Sequence, residues 1–552
     1  MTDEQRPPAR WTDAWRESYG PHWAAKLALL GVLAAVFASL TPPSDPDLPI
    51  HLAAGEWVVR HRAVPFVEPW AWTRPGEPFQ AYSWAIEVAF YLALRLGGPL
   101  GLKALHGVLV AGAGAAVIAL GAAAGWRPRT SLVVALLNLS VAALVACCVR
   151  PQIVLFALLP LAWALAYRIA RRGPSWGGAA ALFAVSATAA NTHLLFPLVA
   201  ASGVVLLAES RGVDARRWLR GVGAFAVAVL LGWAASPYVL EWPAVFRLNF
   251  APNPLIVYPS PLGEYVPGFV SGVTLGPGPL ALILGVAALP WLVPARALDG
   301  RGRAAAGALW LVGLVAFALT ARAFLLWWLL VLPTAGLVVE AAGDYLAREA
   351  PLPRHLRILA LWAVCGVFLL TRLAPFHGEG GEEGTVASRT LPSPAAPWVD
   401  PIASWLACNA GPEAGGRLLT THGFGSYLIW RVPYLSPSVD GRTIFADSVA
   451  RPETFRGAWD RGPLHGPWRT ADLAILPRSF AVTTVLDTAA GWRRVAVVNR
   501  PEGTTGLWVT ERWWGRAGRA PLPARALWLP PRVACEAPAQ SSPRSPGADG
   551  RR

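Results

Sequence analysis

Asp45 and Asp47 flank a single proline, and His51 follows four residues later in Asp45-Pro-Asp47-Leu-Pro-Ile-His51. Two carboxylates and an imidazole at this spacing could act as a general base, hold a cation or bond a hydroxyl-rich substrate. Four residues is close to one helical turn, so Asp47 and His51 would share a face if the chain is helical here. Further acids stand at Glu56, Glu68 and Glu87, interleaved with Trp57, Trp70, Trp72 and Trp84. The whole stretch follows an apolar run of membrane length at residues 23–41. Carboxylates set against a bilayer are costly unless water, a cation or a substrate uses them. The plainer reading is a solvated turn, since Asp and Pro are ordinary turn residues. The tryptophans then form an interfacial belt rather than the walls of a sugar or headgroup cleft.

The elements that must position these residues are read from composition and apolar run length. Hydrophobic residues make up 54% of the chain, charged residues 15%, and the formal net charge is +15. This is the composition of a polytopic membrane protein. Nucleic acid as a partner is rejected, because the arginines fall in short clusters between apolar runs. About eleven membrane-length helices are expected, near residues 23–41, 101–125, 131–149, 153–170, 177–190, 194–207, 221–235, 280–293, 304–320, 324–341 and 358–373. Alternate connections hold Arg127 and Arg129; Arg171 and Arg172; Arg211, Arg216, Arg217 and Arg220; Arg296, Arg301 and Arg303; and Arg348, Arg354 and Arg357. The positive-inside rule makes these cytoplasmic. Residues 1–22 form a cytoplasmic segment without a signal-cleavage pattern, so residues 23–41 read as a retained signal anchor. The outer loop 42–100, with its acids, faces the other side. Residues 84–96 are apolar but broken by Glu87 and Arg95, which suits an amphipathic helix in the outer interface.

The membrane domain is expected to cover residues 23–374, followed by a Gly-, Glu- and Pro-rich linker at 375–400. A small extracytoplasmic α/β domain at 401–534 would come next, with a disordered tail at 535–552. Strand-like runs lie at 417–421, 443–446, 473–476, 481–486 and 492–498, and helix-compatible ones at 401–408 and 425–431. Cys408 and Cys535 could pair in an extracytoplasmic domain, or stand as two free thiols.

Arg150, Asn191, His193 and Arg322 each punctuate the outer end of a different helix pair. Arginines so placed suit a monophosphate or diphosphate through bidentate bonds. Snorkelling to lipid phosphates is the alternative for each one separately. The chain has no P-loop, no dinucleotide glycine fingerprint and no GxSxG elbow. An outward-facing enzyme would therefore need an energised substrate carried by the membrane itself, and a polyprenyl-phosphate sugar meets that need.

The block Asp45-Pro-Asp47-Leu-x-x-His51-Leu-x-x-Gly55-Glu56-Trp57, followed by His61-Arg-x-Val64-Pro65, resembles the first outer loop of bacterial GT-C-type glycosyltransferase-like membrane proteins. These are relatives of the dolichyl-phosphate-mannose-dependent protein mannosyltransferases and of lipid A aminoarabinose transferase. Arg150-Pro151-Gln152, Asn191-x-His193 and Ala321-Arg322 are similar to later outer-loop marks of the family. Gly423-Phe-Gly425-Ser-Tyr427-Leu-Ile-Trp430 and Val439-Asp440-Gly441-Arg442 resemble its "GGYLIW" and "DGR" segments.

The resemblance implies a mainly α, polytopic GT-C fold with a C-terminal soluble α/β domain, in a bacterial inner membrane. It implies transfer of a sugar from a polyprenyl-phosphate-linked donor to an extracytoplasmic acceptor. Asp47 would be the catalytic acid, with Asp45 second and His51 beside them. Arg150 or Arg322 would hold the donor phosphate, and Glu56, Glu68, Asn191 and His193 would contact substrate. A divalent cation on Asp45 and Asp47 is compatible with this but not required, because arginines can supply the positive charge. Pro49-Ile50 in place of an aromatic pair, Glu68 where aspartate is common, and Ser83-Trp84 in place of Glu-Trp depart from the family pattern. They point to an altered acceptor or to lost transfer activity. The competing expectation is a non-enzymatic transporter, flippase or assembly scaffold for envelope polysaccharide. A transporter should carry mid-membrane charges and internal repeats.

Overall fold

Apolar runs too long for a soluble core, punctuated by glycine, proline and polar residues, set the architecture. A computed structural model describes residues 31, 47–145, 149–209, 213–250, 311, 324–348, 396–439, 470–480, 482–501, 503–519 and 521–530. The chain divides into two compact units, Met1–Val67 with Pro78–Ala387, and Glu68–Glu77 with Ser388–Arg552.

The regular elements of the first unit are, among the described residues, all helical. Its elements are α1 (Leu48–His61), α2 (Trp84–Ala124), α3 (Pro128–Val145), α4 (Leu155–Arg172), α5 (Trp176–Thr192), α6 (Leu198–Ala201), α7 (Val204–Ala208), α8 (Ala215–Ala234), α9 (Trp242–Phe250) and α10 (Phe324–Arg348). A 3-10 turn, Pro151–Val154, leads into α4. Among the described residues, three stretches are long and apolar enough to cross a membrane: Trp84–Ala124, Pro151–Arg172 and Ala215–Ala234. The expected spans at 280–293 and 358–373, and those at 23–41 and 304–320 apart from Gly31 and Leu311, lie outside the described residues.

Two local features depart from simple spans. Helix α2 runs through both the interfacial segment expected at 84–96 and the span expected at 101–125. It breaks at Gly98 (φ 59°, ψ −154°), just before Pro99, which has no N–H to continue the ladder. The single span expected at 194–207 is instead two short helices, α6 and α7, with Ser202-Gly203 between them. Close packing explains part of this, since a Cβ on Gly203 would meet the Phe225 ring at 2.8 Å.

Helix α1 shows how the first loop is fastened. Its start carries proline in the first turn, and its end turns on Arg62 in the left-handed region (φ 53°). Leu48, Ile50, Leu52, Ala53, Ala54 and Val58 are buried. A Cβ on Gly55 would collide with the Glu87 carbonyl, so α1 and α2 meet at backbone contact. Only glycine allows that approach.

The second unit carries one six-stranded sheet in the order β2-β1-β3-β5-β4-β6. Its strands are β1 (Gly416–Thr420), β2 (Leu435–Pro437), β3 (Leu473–Pro477), β4 (Trp492–Arg500), β5 (Gly503–Thr510) and β6 (Leu527–Trp528). Its helices are α11 (Ala396–Asn409), α12 (His422–Arg431), α13 (Val482–Thr488) and α14 (Glu511–Ala517). Strand β1 is parallel to β2 and β3, whereas β5 is antiparallel to β3 and β4. Residues 482–486 of the β-branched run expected as a strand at 481–486 are helical, within α13. Val482 and Leu486, four apart, are both buried, and Thr483 Oγ1 bonds back to the Phe480 carbonyl at 2.7 Å.

The loop segment 68–77 folds with this unit. Trp72 donates its main-chain N–H to Pro437 O (3.3 Å) and its indole N–H to Leu418 O (3.2 Å), and Thr73 Oγ1 donates to Ser438 O (2.5 Å). Trp72 packs against a core that includes Leu419, Leu476 and Trp508. The guanidinium of Arg417 lies over its ring at 5.9 Å.

Candidate functional site

Asp47 occupies the cap position before α1, where an aspartate ordinarily accepts a bond from the first turn. Its side chain makes no such bond. Oδ2 instead lies 3.5 Å from Nη2 of Arg150, with the two side chains 37% and 22% exposed. Arg150 is an extended residue preceding the 3-10 turn, so the pair joins the head of α1 to the head of the α4 segment.

One turn on, His51 Nδ1 sits 2.8 Å from Glu87 Oε1 in the first turn of α2. Glu87 is buried, and its Oε2 has no hydrogen-bond partner. Ser83 precedes the same turn, and Trp84 donates its indole N–H to Asn191 Oδ1 at 2.8 Å. Asn191 in turn donates to the Ala187 carbonyl at 2.8 Å, at the end of α5. The four heads and ends of α1, α2, the α4 segment and α5 are thus linked by polar side chains.

Tyr238, following α8, closes the base of the loop. Its hydroxyl donates to Pro65 O at 2.8 Å and accepts from Ala81 N–H at 3.2 Å. Burial, above all, raises its pKa well beyond the usual phenol range; the charge of Glu87 pushes the same way and the Ala81 bond opposes it.

The remaining expected site residues are spread more widely. Glu56 is buried and pairs with Arg60, one turn along α1, at 2.6 Å. His193 caps the end of α5, where its Nδ1 accepts the Leu195 N–H at 3.0 Å. Glu68 belongs to the second unit, where Oε1 accepts from the N–H groups of Trp70 and Ala71 at 2.8 and 2.7 Å. Asp45 and Arg322 lie outside the described residues. Among the described residues no three His, Cys, Asp or Glu side chains come together in a way that could hold a metal ion.

Sequence reasoning had no role for Glu87, Trp84 as a donor, or Tyr238. An acid in an otherwise apolar helix was the available signal for Glu87. Nothing local marks Tyr238, whose partner Pro65 is 173 residues away in the chain.

No protein-family model matches the chain, and no curated protein matches its sequence. Solved structures do match. An arabinofuranosyltransferase, AftD, from Mycobacteria aligns over 88% of this chain with a TM-score of 0.55 and 16% identity. ArnT from Cupriavidus metallidurans, in the apo state, aligns over 89% of this chain and 98% of its own, with a TM-score of 0.51 and 16% identity. The oligosaccharyltransferase of Archaeoglobus fulgidus aligns over 90% of this chain and 75% of its own, with a TM-score of 0.50 and 12% identity. The fold is that of the GT-C glycosyltransferases. The chain spans about two fifths of AftD, whose chain it covers to 40%, and nearly the whole of ArnT. At such identities the likeness concerns the GT-C fold alone.

Proposed function

We propose that this GT-C-fold chain is a membrane glycosyltransferase that moves a sugar from a polyprenyl-phosphate-linked donor to an extracytoplasmic acceptor. The observation that carries this reading is the Asp47–Arg150 pair. A carboxylate that leaves its capping role stands 3.5 Å from a guanidinium on another element, both partly open to solvent. One group suits an acceptor hydroxyl and the other a phosphate.

In the proposed reaction Asp47 takes the proton of the acceptor hydroxyl, and that oxygen bonds to the anomeric carbon. The bond from that carbon to the phosphate oxygen breaks, and the electron pair leaves with the polyprenyl phosphate. Arg150 stabilises the charge that develops there. Asp45 and Arg322 would assist at the acid and phosphate ends, and Glu56, Asn191 and His193 would contact substrate. A lipid-linked donor is supported by the ArnT structure solved with undecaprenyl phosphate, which aligns over 90% of this chain with a TM-score of 0.50. A bacterial inner membrane, with the N-terminus inside and the C-terminal unit outside, agrees with the basic loops. It also agrees with Cys408 being disulfide-bonded, a state favoured in an oxidising compartment. Cys535 lies outside the described residues.

Purified protein incubated with labelled polyprenyl-phosphate sugars and envelope acceptors tests the reading. Transfer is expected, with a loss of about 100-fold or more in Asp47→Asn, the order that a general base contributes. Undiminished transfer by Asp47→Asn would remove Asp47 from the mechanism. Absence of transfer from every such donor by the wild-type chain would remove the function.

A further inference from the structure

We infer that Glu87 is a positioning residue that fixes the tautomer of His51, so that His51 Nε2 presents a hydrogen-bond acceptor to a substrate hydroxyl. A neutral imidazole carries one N–H, and a carboxylate accepts. With Nδ1 2.8 Å from Glu87 Oε1, the proton belongs on Nδ1 and the lone pair on Nε2. The His51 side chain is 22% exposed and that of Glu87 only 7%. The carboxylate is therefore held in the protein, and the imidazole is the more exposed of the two.

A purely structural latch between α1 and α2 explains this pair less well. The two helices are already fixed one turn further on, where Gly55 allows α1 to touch the carbonyl of Glu87 itself. His51 and Gly55, four apart, face the same partner, so the Glu87 backbone is immobilised without help from its side chain. Yet Glu87 keeps a buried Oε2 with no hydrogen-bond partner, an arrangement that costs stability. A carboxylate retained there at a cost, aimed at a half-open imidazole four residues from Asp47, is suited to orienting that ring.

The substrate hydroxyl in this statement rests on the glycosyltransferase reading; the tautomer does not. Nitrogen NMR of the 15N-histidine-labelled full chain, with His51 assigned from His51→Gln, reads the tautomer directly. Neutral His51 is expected to carry its proton on Nδ1 in the wild type and to shift toward the Nε2–H form in Glu87→Gln. In the transfer assay Glu87→Gln should lose about 10-fold or more, the scale on which a misplaced binding group acts. Glu87→Asp, which keeps the carboxylate, should recover part of both signals. A wild-type His51 protonated on Nε2, or an unchanged tautomer in Glu87→Gln, overturns the inference even if that variant transfers poorly. A Glu87→Gln chain that fails to fold leaves the wild-type spectrum to decide. Absence of transfer by the wild type sinks the enzymatic reading alone, and the spectrum still judges the tautomer.

Discussion

Replacing Tyr238 by phenylalanine removes one oxygen and two hydrogen bonds from a buried site. The side chain is fully buried, and Pro65 and Ala81, its two partners, are buried as well. They stand on the two sides of a short ribbon closed by Phe79 N–H to Phe66 O at 3.1 Å and by the Val67–Pro78 bridge. The ring itself, edge-on to Phe66 at 5.1 Å between centroids, keeps its packing as phenylalanine. What is lost is satisfaction of one buried carbonyl and one buried N–H. Each such loss costs about 1–3 kcal/mol, so a total of roughly 2–4 kcal/mol is expected once some relaxation is allowed. Equilibrium unfolding of the purified chain in mixed micelles, followed by tryptophan emission, would measure it. The pH dependence gives a second reading. The folded phenol is raised above the ordinary value of 10.0, so its contribution is complete below pH 10 and falls as pH rises toward the folded pKa. The gap between wild type and Tyr238→Phe should therefore narrow above pH 10. A difference below about 0.5 kcal/mol at neutral pH, the size of an ordinary surface substitution, would refute the reasoning.

Three other substitutions test neighbouring parts of the argument. Gly55→Ala should force α1 off α2, because the new Cβ meets the Glu87 carbonyl and Tyr91 Cβ; a loss of about 1–3 kcal/mol in the same unfolding assay is expected, and a neutral result would deny the close approach. Asn191→Leu leaves the Trp84 indole N–H without its carbonyl partner and should cost about 1–3 kcal/mol, checked by the same measurement against Asn191→Asp, which keeps an acceptor. Trp72→Ala should lower the stability of the second unit by about 2 kcal/mol or more, seen as faster hydrogen exchange at the amides of β1 and β3.

Long apolar runs were readable because length alone separates a membrane helix from a core helix, and α2, the α4 segment and α8 occupy the expected runs. The breaks inside them were less readable. Gly98-Pro99 is a visible signal, but Ser202-Gly203 depends on how Phe225 packs. The strand expected at 481–486 failed because apolar residues at a spacing of four, here Val482 and Leu486, can bury a helix face as readily as a strand face. In the site, Asp47, His51 and Arg150 stood out as polar groups beside apolar runs. Trp72 read equally well as an interfacial belt, since its partner carbonyl on Leu418 lies 346 residues on and leaves no local trace. Glu68 looked like one more acid of the first loop, yet its carboxylate is occupied in turning the Trp70–Ala71 backbone within the second unit.

The two polar pairs at the head of α1 differ in a way that divides their work. The Asp47–Arg150 pair is long, at 3.5 Å, and both partners are partly exposed. Pairs of that kind contribute about 0–1 kcal/mol, so separating them to admit a hydroxyl and a phosphate costs little. The His51–Glu87 contact is short, at 2.8 Å, with a buried carboxylate, and it sits where the helices are already locked at Gly55. Breaking it strands a buried charge, which is expensive. The pair that opens easily suits chemistry that must exchange partners during a reaction. The pair that resists opening suits a group that must hold its orientation throughout. Substitutions at Asp47 should accordingly alter transfer with little change in stability, whereas substitutions at Glu87 should alter both.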